Sequence, residues 1–305
     1  MPFEYFVDFF FLRNKFLMGC SFSGITLLLG TVFGLAQSAL ATEGGGSNYL
    51  PGFYGDFAVA VEADKGTFLN NFFVAYQNGN GKAGSVLEMP GIVHVTEWDF
   101  FGGRYSWSVY PGVMGSWDRS GPNPTGRVGL ADAYLVPVSL NWKWPGLAVL
   151  IFEGIVPPNG YYRKGELNLG RNVWTFDHIA SLTWELPAHN ELNWVLGYMN
   201  NTVNHATGYA SGDEFHFDYT LAHYWRHEWS LGLCGSYYRQ VTADHAPPGV
   251  MTAPQGEAST LGPAVMYATR IEGRELNLSL KWLHEFGVTG REAQDYLIWK
   301  VLVEF

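Results

Sequence analysis

Charge and cysteine are what this chain has least of. Asp, Glu, Lys and Arg make up 15% of its 305 residues, and the formal net charge is −10. So sparse and acidic a set offers no basic surface for nucleic acid, and none is expected as a partner. Only two cysteines are present, Cys20 and Cys234, and Cys20 lies in an apolar segment near the N-terminus. Removal of that segment leaves one thiol and therefore no internal disulfide. Leu17-Met18-Gly19-Cys20 is a poor lipidation box, because the apolar run continues past the cysteine, where a lipoprotein's mature chain begins. Beyond residue 41 no apolar run reaches about 18 residues, so no mature helix is long enough to span a bilayer. Ser181, Ser230, Ser236 and Ser279 sit in no His-x-Ser or Gly-x-Ser-x-Gly setting, which argues against nucleophilic catalysis.

Aromatic side chains, at 16%, and 37 glycines are what the chain has in abundance. Few charges, many Trp, Tyr and Phe, and many turn formers suit a membrane barrel with aromatic girdles better than a soluble enzyme. Mean hydropathy is −0.03, as expected where apolar and polar residues alternate. The final eleven residues show this directly. Leu297, Trp299, Val301, Val303 and Phe305 form one apolar row, against Tyr296, Ile298, Lys300, Leu302 and Glu304 on the other. A period of two is that of a strand. A closing strand with an apolar face and a terminal Phe305 is the kind of signal read by outer-membrane assembly machinery, an expected partner.

Residues 1–41 read as a signal peptide for Sec export. Arg13 and Lys15 supply positive charge, residues 24–35 the apolar core, and Ala39-Leu40-Ala41 the cleavage site. Residues 42–65 are glycine-rich and aperiodic, and are expected either as a periplasmic lead-in or as a segment tucked into a lumen. From Gly66 onward twelve strands are placed, at about 66–77, 90–100, 104–116, 129–142, 146–157, 172–186, 191–202, 213–226, 228–241, 258–271, 273–286 and 294–305. The clearest alternations are Leu276, Leu278, Leu280 and Trp282 against Glu275, Asn277, Ser279 and Lys281, and Phe215, Phe217, Tyr219 and Leu221 against Glu214, His216, Asp218 and Thr220.

The connections separate a barrel from a sandwich. Those after the even strands are tight, whereas most after the odd strands are longer and rich in Gly, Pro and Asn, with 78–89, 117–128, 158–171 and 242–257 as examples. Tight turns alternating with long loops build an outer-membrane barrel, and an even strand count brings both ends to the periplasm. The expected fold is thus an all-β, membrane-spanning antiparallel up-and-down barrel over 66–305, in the outer membrane and in contact with its lipids. Trp142, Trp144, Trp184, Trp225, Trp229 and Trp282 are expected at headgroup level.

Several segments resemble one family. They are Thr42–Gly46, Gly66–Asn70, Gly129–Tyr134, Asn168–Phe176, Ser211–Tyr219, Leu261–Pro263 and Lys281–Gly287, in order across nearly all of 42–305. They are similar to the phenol meta-pathway degradation proteins, described as transporters. The resemblance implies an outer-membrane barrel that admits small hydrophobic or aromatic compounds linked to catabolic pathways; it does not imply catalysis of phenol breakdown. The apolar stretch before Arg13 and the proline-rich loop Ala246–Gln255 depart from the family pattern.

With the apolar rows turned to lipid, the partner rows line the lumen. Glu214, His216 and Asp218 fall on one strand, Asn277, Lys281 and Glu285 on another, Asp177 on a third, and Arg171 at the mouth of the sixth. These eight are the candidate solute-binding residues. They either orient a solute and bias selectivity or form a salt-bridged plug. Glu214-x-His216-x-Asp218 shares one strand face, but metal ligands gather from more than one element, so neither metal nor cofactor is expected. The alternative function is a barrel enzyme hydrolysing lipids or esters.

Overall fold

The computed structural model describes residues 42–305 apart from 64, 226, 227 and 253. The signal residues Arg13, Lys15 and Ala39–Ala41, together with Cys20, lie outside the described residues. Twelve strands follow in order: β1 (Gly66–Asn78), β2 (Ala83–Phe100), β3 (Gly103–Asp118), β4 (Thr125–Trp144), β5 (Leu147–Val156), β6 (Thr175–Leu186), β7 (Asn190–Asn201), β8 (Glu214–Trp225), β9 (Trp229–Gln240), β10 (Glu257–Ile271), β11 (Arg274–Thr289) and β12 (Gln294–Glu304). Each pairs antiparallel with its neighbours in sequence, and β12 closes on β1 with Phe68 opposite Glu304. The expected all-β membrane-spanning barrel is the fold observed. Closure leaves no sheet edge, so backbone donors and acceptors are paired within the wall, as hydrocarbon requires.

The tight connections gather at one end of the barrel, the turn end, with the start of β1 and the end of β12. Two of them, Phe101-Gly102 and Glu272-Gly273, have positive φ at both central residues (53° and 76°; 53° and 84°). That is the backbone of the primed hairpin turns, whose twist matches the flanking strands. Loops occupy the other end, the loop end. The expected long loop at 78–89 is a correction: β2 begins at Ala83, and only four residues separate it from β1. Val86 and Leu87 pair with Ala75 and Val74, so the ladder runs on through a stretch whose glycines and asparagine resemble a loop. The connection between β11 and β12 is equally short.

Alternation sorts the side chains. On β8, Glu214, His216, Asp218, Thr220 and Ala222 are buried inward, while Leu221 and His223 are exposed outward. On β12, Tyr296 and Ile298 are buried and Trp299 stands 49% exposed to the lipid side. Trp144, Trp184, Trp225 and Trp229 face outward at the turn end, as a girdle requires. Trp282 also faces outward but lies at the middle of β11, because that strand extends to Thr289, so it is not at a strand end as the other four are. Cys234 is a free, buried thiol.

The wall is uneven. From β5 to β9 the ladders run without a break. Between β2 and β3 the pairing lapses from Glu88↔Val113 to Ile92↔Val109, where Pro90 and Pro111 contribute no N–H. The register between β4 and β5 shifts beside Pro137.

Candidate functional site in the lumen

Residues 42–65 run down the inside of the barrel from the loop end to the turn end. Near the loop end, Glu43 O accepts from Arg171 Nη2 at 2.8 Å, and Glu43 Oε2 accepts from Asn204 Nδ2 at 2.7 Å. Near the turn end, Ser106 Oγ donates to Glu62 Oε1 at 2.7 Å and Lys143 Nζ donates to Glu62 O at 2.6 Å. Apart from the 3-10 turn Glu43–Gly45 the described residues of the segment form no helix or strand, so the inward rows pair much of its backbone instead. Ala58, Val59 and Ala60 N–H groups donate to Glu191, Asn193 and Thr183 at 2.8, 3.1 and 2.9 Å. Lys281 Nζ donates to the carbonyls of Gly52 and Gly55 at 2.8 and 2.5 Å, clasping the turn between them.

Three of the sequence candidates meet at the centre. His216 Nε2 lies 3.0 Å from Asp177 Oδ1, and its Nδ1 lies 3.5 Å from Asp218 Oδ2, without hydrogen-bond geometry. The imidazole lies against the rings of both Tyr49 (centroids 4.2 Å apart, planes 17° apart) and Tyr54 (5.2 Å, 13°) of the inserted segment, which are themselves 6.2 Å apart. Tyr54 OH donates to Asp177 at 2.7 Å and Tyr49 OH to Asp218 at 3.0 Å. Asp177 thus holds the imidazole and Tyr54, and Asp218 holds Tyr49. The room is made by Gly197 on β7: a Cβ there would stand 1.9 Å from His216 Nε2. An inward glycine in a strand marks such a close approach.

The other candidates occupy separate places. Glu214 accepts from Tyr238 OH at 2.7 Å and from Ser47 Oγ, on the loop side of His216. Glu285 pairs with Arg291 and accepts from Gln294 N at 2.8 Å near the loop end. Arg171 lies in the loop before β6 rather than on the strand, its N–H bound to Asp132 at 2.7 Å. Asn277 is apart from all of them, at the turn end. Sequence reasoning missed Glu191, whose Oε1 takes Ala58 N and Asn193 Nδ2 and whose Oε2 takes Tyr224 OH at 2.8 Å. It begins the inward row Glu191, Asn193, Val195, Gly197, Met199, and extending that row by one residue would have found it. Tyr49, Tyr54, Asp56 and Glu62, all in the aperiodic segment, had no local signal.

Below the segment lies a cavity of about 720 Å³ at the turn end. Its walls are largely apolar, with Phe53, Phe57, Phe72, Met89, Tyr110 and Phe152 among them. Asn277 lines it too. Lys300 also reaches it but is held by Asp56 at 2.5 Å. Glu62 stands in the segment ahead of the first spanning strand, and burial pushes its carboxyl up to about 7.

A family model described as "Putative MetA-pathway of phenol degradation" matches residues 53–301. The chain belongs to that family. No curated protein matches it in sequence. Among solved structures, this family member is similar to the COG4313 outer membrane channel from Pseudomonas putida F1, at 13% identity and a TM-score of 0.65, covering 84% of this chain and 100% of that one. A looser likeness is to the KdgM porin solved with disordered oligogalacturonate, at 8% identity and a TM-score of 0.45, covering 78% of this chain and 99% of the porin. At these identities the first likeness supports the fold alone.

Proposed function

We propose that this barrel passes small hydrophobic or aromatic molecules across the outer membrane into the periplasm, and that the state described is its closed one. In this reading the turn end faces the periplasm and the loop end the exterior, as in bacterial barrels generally. The observation that carries it is the aromatic-walled cavity of about 720 Å³ inside a membrane barrel of this family, capped from the loop end by the inserted segment. Ligand sites are concave and mostly apolar with a few placed polar groups, and the cavity has that composition.

Asp177, His216, Asp218, Glu214 and Lys281 are then a latch on the segment, Arg171 braces its outer end, Glu285 ties Arg291 and Tyr296 together within the wall beside it, and Asn277 belongs to the solute path. The solved structure that shares this fold is an outer membrane channel, and the proposal carries that role over to this chain. Phe305, 64% exposed and anchored by its N–H to Thr67 O at 3.0 Å, is free to be read by assembly machinery.

Proteoliposomes carrying the full barrel test the proposal. Phenol and benzoate are offered beside a sugar, with protein-free liposomes measured in parallel. Faster entry of the aromatic solutes than of the sugar is expected. No protein-dependent entry of any of them, together with fatty-acid release from the liposome lipids, would favour the hydrolase instead.

A further inference from the structure

We infer that the turn-end cavity is a binding site for a neutral amphiphile, an apolar ring or chain carrying one hydrogen-bond-donating group, and that Glu62 receives the donor. This rests on the channel reading above and narrows it.

Among the described residues, eight buried side-chain oxygen or nitrogen atoms have no hydrogen-bond partner. Four of them, Glu62 Oε2, Asn70 Oδ1, Ser139 Oγ and Ser181 Oγ, belong to residues lining this one cavity. A buried polar atom left unpaired is costly, and a donor brought by a solute recovers that cost. Glu62 Oε2 and Asn70 Oδ1 are themselves fully buried in the cavity's wall, so a solute donor reaches them through a small rotation of the side chain. Glu62 Oε1 is held by Ser106, and Ser139 is the ladder partner of Ser106 on the adjacent strand. Asn70 spends its Nδ2 on Tyr110 OH at 3.1 Å, which leaves the carbonyl oxygen over. Tyr110 in turn lies across Gly91, where a Cβ would stand 2.0 Å from its ring.

The remaining charges of the cavity decide against an anionic solute. Among the described residues two cations line it, Lys300, held by Asp56 at 2.5 Å, and Arg270, paired with Glu275 at 3.2 Å, against the carboxylates of Asp56, Glu62, Glu228 and Glu275. A carboxylate entering here meets this acidic excess, whereas an alcohol or phenol meets an acceptor. An ether of the same shape fills the same apolar volume and gains nothing from Glu62.

The test is calorimetric titration of the full barrel in lipid nanodiscs at pH 8, against empty nanodiscs, with 4-propylphenol, 4-propylanisole and 4-propylbenzoate. The wild type should bind the phenol about ten-fold tighter than the ether, the scale of one hydrogen bond to a charged group. Glu62→Leu should bring the two within about two-fold of each other. Glu62→Gln, which keeps an acceptor oxygen but no charge, should retain most of the phenol preference and strengthen benzoate binding. Glu62 lies outside the barrel wall, and heat-modifiable gel mobility verifies that each variant is folded. Equal affinity of the wild type for phenol and ether, or an undiminished preference in Glu62→Leu, overturns the inference. Entry of 4-propylanisole into proteoliposomes, measured alongside, separates the two ideas: its protein-dependent entry upholds the channel even where the phenol preference fails.

Discussion

In the loop half of the lumen, Asp177, Glu214 and Asp218 are buried and each accepts a hydrogen bond from the inserted segment, from Tyr54, Ser47 and Tyr49. In the turn half, Glu62, Asn70, Ser139 and Ser181 are buried in part or whole and each keeps an unpaired atom. The same twelve strands supply both halves, and the chain passes through both. The difference lies in what fills the space: backbone and phenols above, an open apolar cavity below. Polar groups buried in a lumen without water or partners are unfavourable. The upper half answers this with the chain's own donors, and the lower half leaves it to a solute. On the proposed reading the lumen is filled where it must be shut and leaves a cavity where it must receive.

The sharpest way to break this comparison is to remove the filling. Deleting Ser47–Ala60 takes away the partners of Asp177, Asp218, Glu191 and Lys281 together, while every ladder of the wall remains. Planar bilayer recordings should show a persistent open conductance where the intact barrel is mostly closed. An unchanged closed level would mean that the loops, and not the segment, shut the pore.

Next in size is Gly197→Val. Any side chain at this position drives the imidazole of His216 off β7, so both its Asp177 contact and its stacking on Tyr49 and Tyr54 are lost. Overpacking of this kind costs about 1–3 kcal/mol, all of it charged to the plugged state. Openings should become frequent, with the single-channel size unchanged from that of the deletion. Lys281→Ala removes the clasp on the Gly52 and Gly55 carbonyls. Hydrogen bonds to charged groups are worth about 1.5–3 kcal/mol each, so open occupancy should rise by at least about ten-fold. A variant that instead fails to acquire the folded gel mobility would place Lys281 in barrel assembly.

The wall was legible in the sequence because each strand shows its own period within a dozen residues. Leu276–Trp282 and Phe215–Leu221 alternate so cleanly that lipid and lumen faces follow without any partner being known. The start of β2 was not legible: Gly84 and Ser85 carry turn residues into a strand, and only pairing with β1 makes them extended. All eight site candidates came from inward rows or strand mouths in this way, and Asn277 lies apart from the rest, at the turn end. The inserted segment escaped altogether. Its bonds to the wall join residues far apart in the chain, 44 positions for Ser106 to Glu62 and 229 for Lys281 to Gly52, and no local pattern encodes such a contact. Gly197 did carry a readable hint, being an inward glycine across from a histidine row.

The smallest effect expected is on pH, and it probes the lower half alone. Burial holds the Glu62 carboxyl at about 7, against the pull of Ser106 and Lys143, which lower it; Tyr110 is the other titratable group facing it. Between pH 6 and pH 8, Glu62 therefore passes from mostly neutral to mostly ionised. Propylbenzoate is an anion throughout that range, so repulsion from Glu62 appears as the pH rises and its affinity should fall, by a few-fold to about ten-fold. Propylphenol is neutral throughout, and its affinity should move the opposite way, because a charged acceptor makes the stronger hydrogen bond. Calorimetric titration at the two pH values reads both slopes. In Glu62→Gln both should be flat; a benzoate slope that survives this substitution would assign the titration to another group and leave the unpaired atoms of the cavity without a role in discriminating solutes.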